Sequence, residues 1–126
     1  MKLHSKNNAN QEIGQKGEEQ AVTFLANKGF KILDLNWRYR KYEIDIVAEQ
    51  NNTLVIIEVK TRSSEQFGNP ESFVNVQKQR FLIAAANAYV DQKQILNEIR
   101  FDIISIIHQN NEFKIEHIPD AFYPRV

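Results

Sequence analysis

From Ile13 onward, small or apolar residues return every three or four positions: Ile13, Gly17, Ala21, Phe24, Leu25 and the stem of Lys28. This 3.6-residue period predicts a helix from about Glu12 to Lys28, stopped by Gly29. Glu18 precedes Ala21 by three residues and Leu25 by seven, so it lies on the helix's inner side while Glu19 points to water. A carboxylate on the core side needs a partner. The period then shortens to two. Lys31 to Tyr39 places Leu33, Leu35 and Trp37 on one face, and Tyr42 to Glu49 and Thr53 to Thr61 alternate and are rich in isoleucine and valine. A polar loop, Arg62 to Ser72, leads to a second helix from Val74 to about Gln92. There Ala84, Ala85, Ala86 and Ala88 allow close packing. Ile99 to His108 and Glu112 to Ile118 form a last hairpin across Asn110-Asn111. The order α-β-β-β-α-β-β predicts an α/β fold, a mixed sheet flanked by helices. Its third strand, second helix and fourth strand form a parallel crossover.

Asn51-Asn52 suits a tight turn, because asparagine tolerates positive φ. With those two as the loop, paired residue numbers sum to 103. Asp45 then faces Glu58, and Glu43 faces Lys60. Residues directly opposed across a ladder share a face with Cβ atoms ~4.5–5.5 Å apart, and like charges so placed destabilise it. Lys60 offers one counter-ion. A divalent cation offers a better one, since Mg²⁺ prefers one or two carboxylates plus water and substrate phosphate. Two acids and a lysine on adjacent strands are the parts of a metal-assisted phosphodiester hydrolase. They are equally the parts of a solvated ion-pair cluster, and spacing alone does not choose.

Composition narrows the setting. The 126 residues suit one domain, expected as a flexible segment over 1–11 and a single folded domain over 12–126. Glycine (4) and proline (3) are too scarce for disorder or collagen. The apolar run Phe81 to Ala86 is far short of the ~20 residues of a membrane span. No secretory signal is visible in the polar first eleven residues, and cysteine is absent, which excludes disulfides and thiolate chemistry. A cytoplasmic location with no membrane partner is the expectation. Sixteen basic and sixteen acidic residues cancel, which counts against a generic nucleic-acid coat protein. The distribution is uneven: residues 1–42 hold eight basic and four acidic side chains, while Glu43 to Glu58 holds four acids and no base. A basic arm beside an acidic centre fits phosphate gripping next to cation binding.

Glu43-Ile44-Asp45-Ile46-Val47-Ala48 followed by Ile57-Glu58-Val59-Lys60-Thr61-Arg62 resembles the PD-(D/E)xK nuclease signature. Gly14-x-x-Gly17-Glu18-Glu19-x-Ala21 resembles the first helix of the same superfamily, which carries an acid. With Phe67-Gly68-x-Pro70-Glu71, Lys78, Ala85-Ala86, Tyr89 and Arg100-Phe101-Asp102, the pattern from Gly14 to Ile106 is similar to the YraN-like family. The resemblance implies a restriction endonuclease-like fold. Its nearest functional analogues are archaeal-type Holliday junction resolvases, which are metal-dependent and dimeric. It implies a metal-dependent nuclease for structured or branched DNA, using Mg²⁺ or Mn²⁺, as a homodimer. Carried over, Asp45, Glu58 and the Val59 carbonyl hold the metal, Lys60 is the catalytic lysine, and Glu18 reaches the metal directly or through water. Where many relatives have glycine before the first acid, Tyr42 stands here, and its bulk is expected to narrow the substrate's approach.

Asn36-Trp37-Arg38-Tyr39-Arg40-Lys41-Tyr42 interleaves aromatics with bases. Trp37 and Tyr39 are read as facing the core. Arg38, Arg40 and Lys41, with Arg62 and Lys78, are the candidate phosphate contacts. Lys78 reads as a phosphate contact or as a helper of the active site from the second helix, and at least equally as an exposed helical lysine; the alternative for Glu18 is an edge-of-face acid that snorkels to water or pairs with lysine. His4, His108 and His117 lack metal-ligand spacing, and the last two are read as surface residues of the final hairpin. The alternatives to a nuclease are a nucleic-acid-binding module without turnover, or an interaction domain whose carboxylates are structural.

Overall fold

A computed structural model describes residues 5–63 and 74–124. The elements are α1 (Ser5–Asn27), β1 (Lys31–Tyr39), β2 (Tyr42–Gln50), β3 (Thr53–Arg62), α2 (Val76–Lys93), β4 (Glu98–Gln109) and β5 (Glu112–Phe122). The five strands form one sheet in the order β1-β2-β3-β4-β5. Neighbours are antiparallel except β3 and β4, which run parallel across the α2 crossover. The apolar alternation of the strands supplies two cores, one per face. Leu54, Ile56, Phe101 and Ile103 pack with Leu82, Ala85, Ala86 and Tyr89 of α2. Val55, Ile57, Ile104 and Ile106 pack with Ala21 and Leu25 of α1. The result is the restriction endonuclease-like arrangement that the resemblance implied.

α1 begins at Ser5, well ahead of the apolar repeat, so the expected start at Glu12 is corrected and residues 5–11 of the expected flexible segment are helical. Polar residues continue a helix without leaving any mark on the apolar pattern. The helix stops as expected. Gly29 takes φ +90°, its N–H bonds to the Ala26 carbonyl and that of Phe30 to the Leu25 carbonyl, the two bonds of a Schellman cap. Asn75 caps α2, its side chain accepting from the Lys78 N–H at 2.8 Å. Both Asn-Asn turns have positive φ at the two central residues (52° and 64°; 53° and 63°), as a type I′ hairpin requires. The loop expected over Arg62–Ser72 is described only to Ser63. Residues 64–73, with the Phe67-Gly68-x-Pro70-Glu71 motif, lie outside the described residues.

Two strand expectations need correction. Leu33 and Trp37 pack on the α2 side of the sheet, but Leu35 is half exposed. A register shift between Ile32 and Asp34 and a left-handed Asn36 (φ 50°) break the alternation of β1. The β2–β3 ladder has the expected register, from Gln50↔Thr53 to Ile46↔Ile57, but it ends there. Asp45 and Glu58 are therefore not a ladder pair, and neither are Glu43 and Lys60. Ile44 and Ile46, two residues apart, pack into opposite cores, so β2 rotates as it leaves β3.

Candidate active site

The two strands part at Asp45 and Glu58. Once β2 turns away, the Val59 N–H has no antiparallel partner, and a buried donor must find another acceptor. The Asp45 carboxylate provides it: Oδ2 accepts from Val59 N at 2.8 Å. This contact draws Asp45 across the gap, where its charge acts on Glu58. Burial and the charge of Asp45 push the Glu58 carboxyl up to about 7, against the opposing pull of Lys78. Asp45 is also raised, by burial and by Glu43, while the Val59 N–H, Lys78 and Glu58 hold it back.

Glu18 joins them from α1. Burial first and Asp45 second raise its carboxyl, with Glu43 adding, and a hydrogen bond with the Asn36 side chain opposes. Glu18 reaches this spot because Gly17 lets α1 lie against β3. A Cβ there would collide with Thr61 Oγ1 and stand 3.2 Å from Thr61 Cβ and Cγ2. The expected inward Glu18 and outward Glu19 are both present, half-buried and exposed respectively. Asn36 was not singled out from the sequence. An asparagine in a strand segment carries no signal until Glu18 is placed beside it.

The cations are arranged differently from expectation. Lys60 follows Glu58 by two residues on β3, on the α2 side, and is exposed. Glu43 pairs with Arg38 at 3.6 Å rather than with Lys60. Lys78 at the start of α2 is the ammonium that meets the acid pair, with Nζ 3.4 Å from Glu58 Oε2. Arg40 lies over the Tyr39 ring, and Lys41 over Tyr42 and Phe81. Trp37 packs edge-on against Tyr89 of α2, the core-facing role expected of it, while Tyr39 stacks parallel on Trp37 and is in neither core. Tyr42 rests on Phe81, so its bulk fastens the hairpin to α2. Arg62 is half-buried beside Ile13, Gly14, Thr61, Ser63 and His108.

Among the described residues no three acids or histidines form a group able to hold a metal alone. The donor set still fits a hard cation. Glu58 Oε1 is buried and has no hydrogen-bond partner among the described residues. A buried carboxylate oxygen without a donor, beside a second carboxylate, is costly unless a cation takes it. Two carboxylates are the usual protein share of a Mg²⁺ site.

A second polar cluster lies on the α1 face, and it corrects the surface reading of His117. Its side chain is only 5% exposed. Nε2 donates to Asp102 Oδ2 at 2.8 Å and Nδ1 accepts from Lys28 Nζ at 2.8 Å. Asp102 also receives both a bidentate Arg100 and the Asp120 N–H. Burial would raise its carboxyl, but the His117, Arg100 and Asp120 hydrogen bonds together hold it below the usual range. Every lone-pair direction of Asp102 is used, which marks this cluster as structural. The signal available was the i, i+2 spacing of Arg100 and Asp102, which share a strand face.

Residues 17–106 match the uncharacterised protein family UPF0102. A UPF0102 protein of Flavobacterium psychrophilum is 51% identical over 112 residues, covering 89% of this chain and 94% of the relative. One from Phocaeicola vulgatus is 46% identical over 115 residues, 91% and 95% of the two chains. Another, from Bacteroides thetaiotaomicron, is 47% identical over 113 residues, 90% and 93%.

Proposed function

The chain belongs to the uncharacterised protein family UPF0102, the YraN-like family, and on that premise we propose that it is a metal-dependent nuclease hydrolysing phosphodiester bonds of structured or branched DNA. The observation that carries this reading is the Asp45–Glu58 pair at the parting of β2 and β3, with one buried Glu58 oxygen lacking a donor among the described residues. Asp45 and Glu58, with the Val59 carbonyl and Glu18 through water, are the residues that would hold Mg²⁺ or Mn²⁺. Such an ion, when bound, draws charge from the phosphoryl oxygen and makes a bound water acidic. The chain supplies the rest. The exposed Lys60 ammonium, on the same strand as Glu58, orients the attacking water and offsets the charge that develops on phosphorus oxygens. Glu18 accepts a proton from water on the α1 side. Arg38, Arg40 and Lys41 at the β1–β2 hairpin grip flanking phosphates. A homodimer would supply the two sites needed to cut both strands of a branch.

A DNA-binding module without turnover has one observation in its favour: Lys78 already compensates part of the acid pair. Labelled linear, single-stranded, flap and four-way DNA, each with Mg²⁺, Mn²⁺ or chelator, separate the two. Metal-dependent cutting, strongest on branched substrates, is the expected result. Binding without cutting in any metal would leave the module.

A further inference from the structure

We propose that Lys78 is a displaceable counter-ion of the Asp45–Glu58 pair, giving way to a divalent cation and then pairing with a phosphate of the nucleic acid. The second half of this proposal rests on the nuclease reading; the first does not. The Lys78 side chain lies at the third position of α2, its N–H already held by Asn75. A cation there opposes the helix dipole, and an acid is the residue usually found at that position. The first turn of α2 contains no acid. The local electrostatics of α2 therefore do not account for Lys78. Its tertiary partner does: Glu58 Oε2 at 3.4 Å.

The pairing is built to be exchanged. The lysine side chain is 40% exposed and that of Glu58 only 13%. The ammonium can swing on its four-carbon stem without repacking the core, while the carboxylate stays. Its charge acts on both Asp45 and Glu58. Yet one ammonium does not saturate two carboxyls, and Glu58 Oε1 is left without a partner among the described residues. A lysine serving stability alone would do better by satisfying that oxygen too. Any cation that neutralises the pair must first compete with Lys78. Once released, the ammonium stands with Lys41, which lies over Phe81 of the same helix, as positive charge available to a phosphate.

The test uses calorimetric titration of the full chain with Mn²⁺ alone, comparing wild type, Lys78→Met, Lys78→Arg and Lys60→Met. Removing a competing charge should make Lys78→Met bind Mn²⁺ more tightly, on the order of five-fold, the size of a part-exposed ion pair. Lys78→Arg should stay close to wild type. With four-way DNA, Lys78→Met should lower the slope of log affinity against log salt by about one. Unchanged or weaker Mn²⁺ binding by Lys78→Met, with a melt like that of wild type, overturns the counter-ion role. An unstable Lys78→Met is resolved by Lys78→Gln under the same criterion. Tighter Mn²⁺ binding in a protein that cuts no DNA keeps the counter-ion role and removes the nuclease. Cutting with unchanged Mn²⁺ affinity does the opposite. An unaltered salt slope removes the phosphate half. Failure of every variant and of wild type to bind Mn²⁺ overturns both readings.

Discussion

At Asp45 a single side chain replaces a backbone acceptor. Its Oδ2 takes the Val59 N–H that the ladder no longer uses, and this places it against Glu58. Asp45→Asn keeps an oxygen for that N–H and removes one charge from the pair. In chelator the variant should be more stable than wild type by about 0.2–1 kcal/mol, the scale of a relieved like-charge contact. Added Mg²⁺ should raise the melting temperature of wild type by mass action and that of the variant much less. A variant that melts earlier, together with a wild type indifferent to Mg²⁺, would refute the metal site. Lys60 is exposed and has no ion-pair partner among the described residues, so its removal should leave the fold intact. Lys60→Ala should retain DNA binding and cleave about 10²–10³ times more slowly, the usual effect of removing one transition-state interaction. Single-turnover rates beside binding isotherms check this. The inward side of Glu18 and the closeness of Asp45 to Glu58 were legible, because a helix period and a hairpin register are local patterns. Asn36 and His117 were not, since each acquires its role from a partner far along the chain.

Elements meet where side chains permit. α1 approaches β3 at Gly17, where Thr61 fills the space a Cβ would need. Gly17→Ala gains up to about 1 kcal/mol of helix propensity but forces the helix off the strand, and overpacking of this kind costs about 1–3 kcal/mol. The variant should be less stable, and Gly17→Ala with Thr61→Ala should recover most of the stability, because the hydroxyl in the way is gone. Denaturant unfolding of wild type, Gly17→Ala, Thr61→Ala and the double variant measures the coupling. If the nuclease reading holds, the single variant should also cut more slowly, because Glu18 moves with its helix. Equal stability of Gly17→Ala and wild type would show that the two elements are not in such close contact. The hairpin turns were readable from Asn-Asn pairs, and the register from the turns. The end of the ladder was not readable. It depends on β2 rotating between Ile44 and Ile46 to feed two different cores.

Across the whole molecule, burial sets the response to pH. Glu58 holds its proton more tightly folded than unfolded, with an ordinary value of 4.5 pushed up to about 7. Below the lower value both states carry the proton and the stability is fully present. As pH rises from about 4.5 through about 7 the unfolded chain releases it more readily, so the metal-free protein should lose stability across that window. Asp102 acts in the opposite sense. Its lowered carboxyl contributes stability above its ordinary value of 3.8 and loses it as pH falls further. Melts from pH 4 to 8 in chelator should peak on the acid side of neutrality, and Glu58→Gln should flatten the alkaline decline. A profile unchanged by Glu58→Gln would place the titrating group elsewhere. Zero net charge also means that any grip on DNA is local. Arg38→Ala with Arg40→Ala should weaken binding and reduce the salt slope by about one for each phosphate no longer gripped. An unchanged slope would move the binding surface away from the hairpin. Among the described residues no helix is long and apolar enough to cross a membrane.

Periodicity determined the element order, the helix face bearing Glu18 and the Asn-Asn turns, because each depends on residues within a few positions of one another. Pairing across the first hairpin was determined for the same reason, as far as Ile46↔Ile57. Only the tertiary structure decided that β2 and β3 part at the acids, that Asp45 takes the Val59 N–H, and that Lys78 rather than Lys60 meets Glu58. It also decided that His117, spaced like a surface residue, joins Lys28 to Asp102. These outcomes balance burial of two cores on opposite faces of one sheet against the need of every buried polar group for a partner. That balance is struck between segments up to 89 positions apart, where local patterns carry no information.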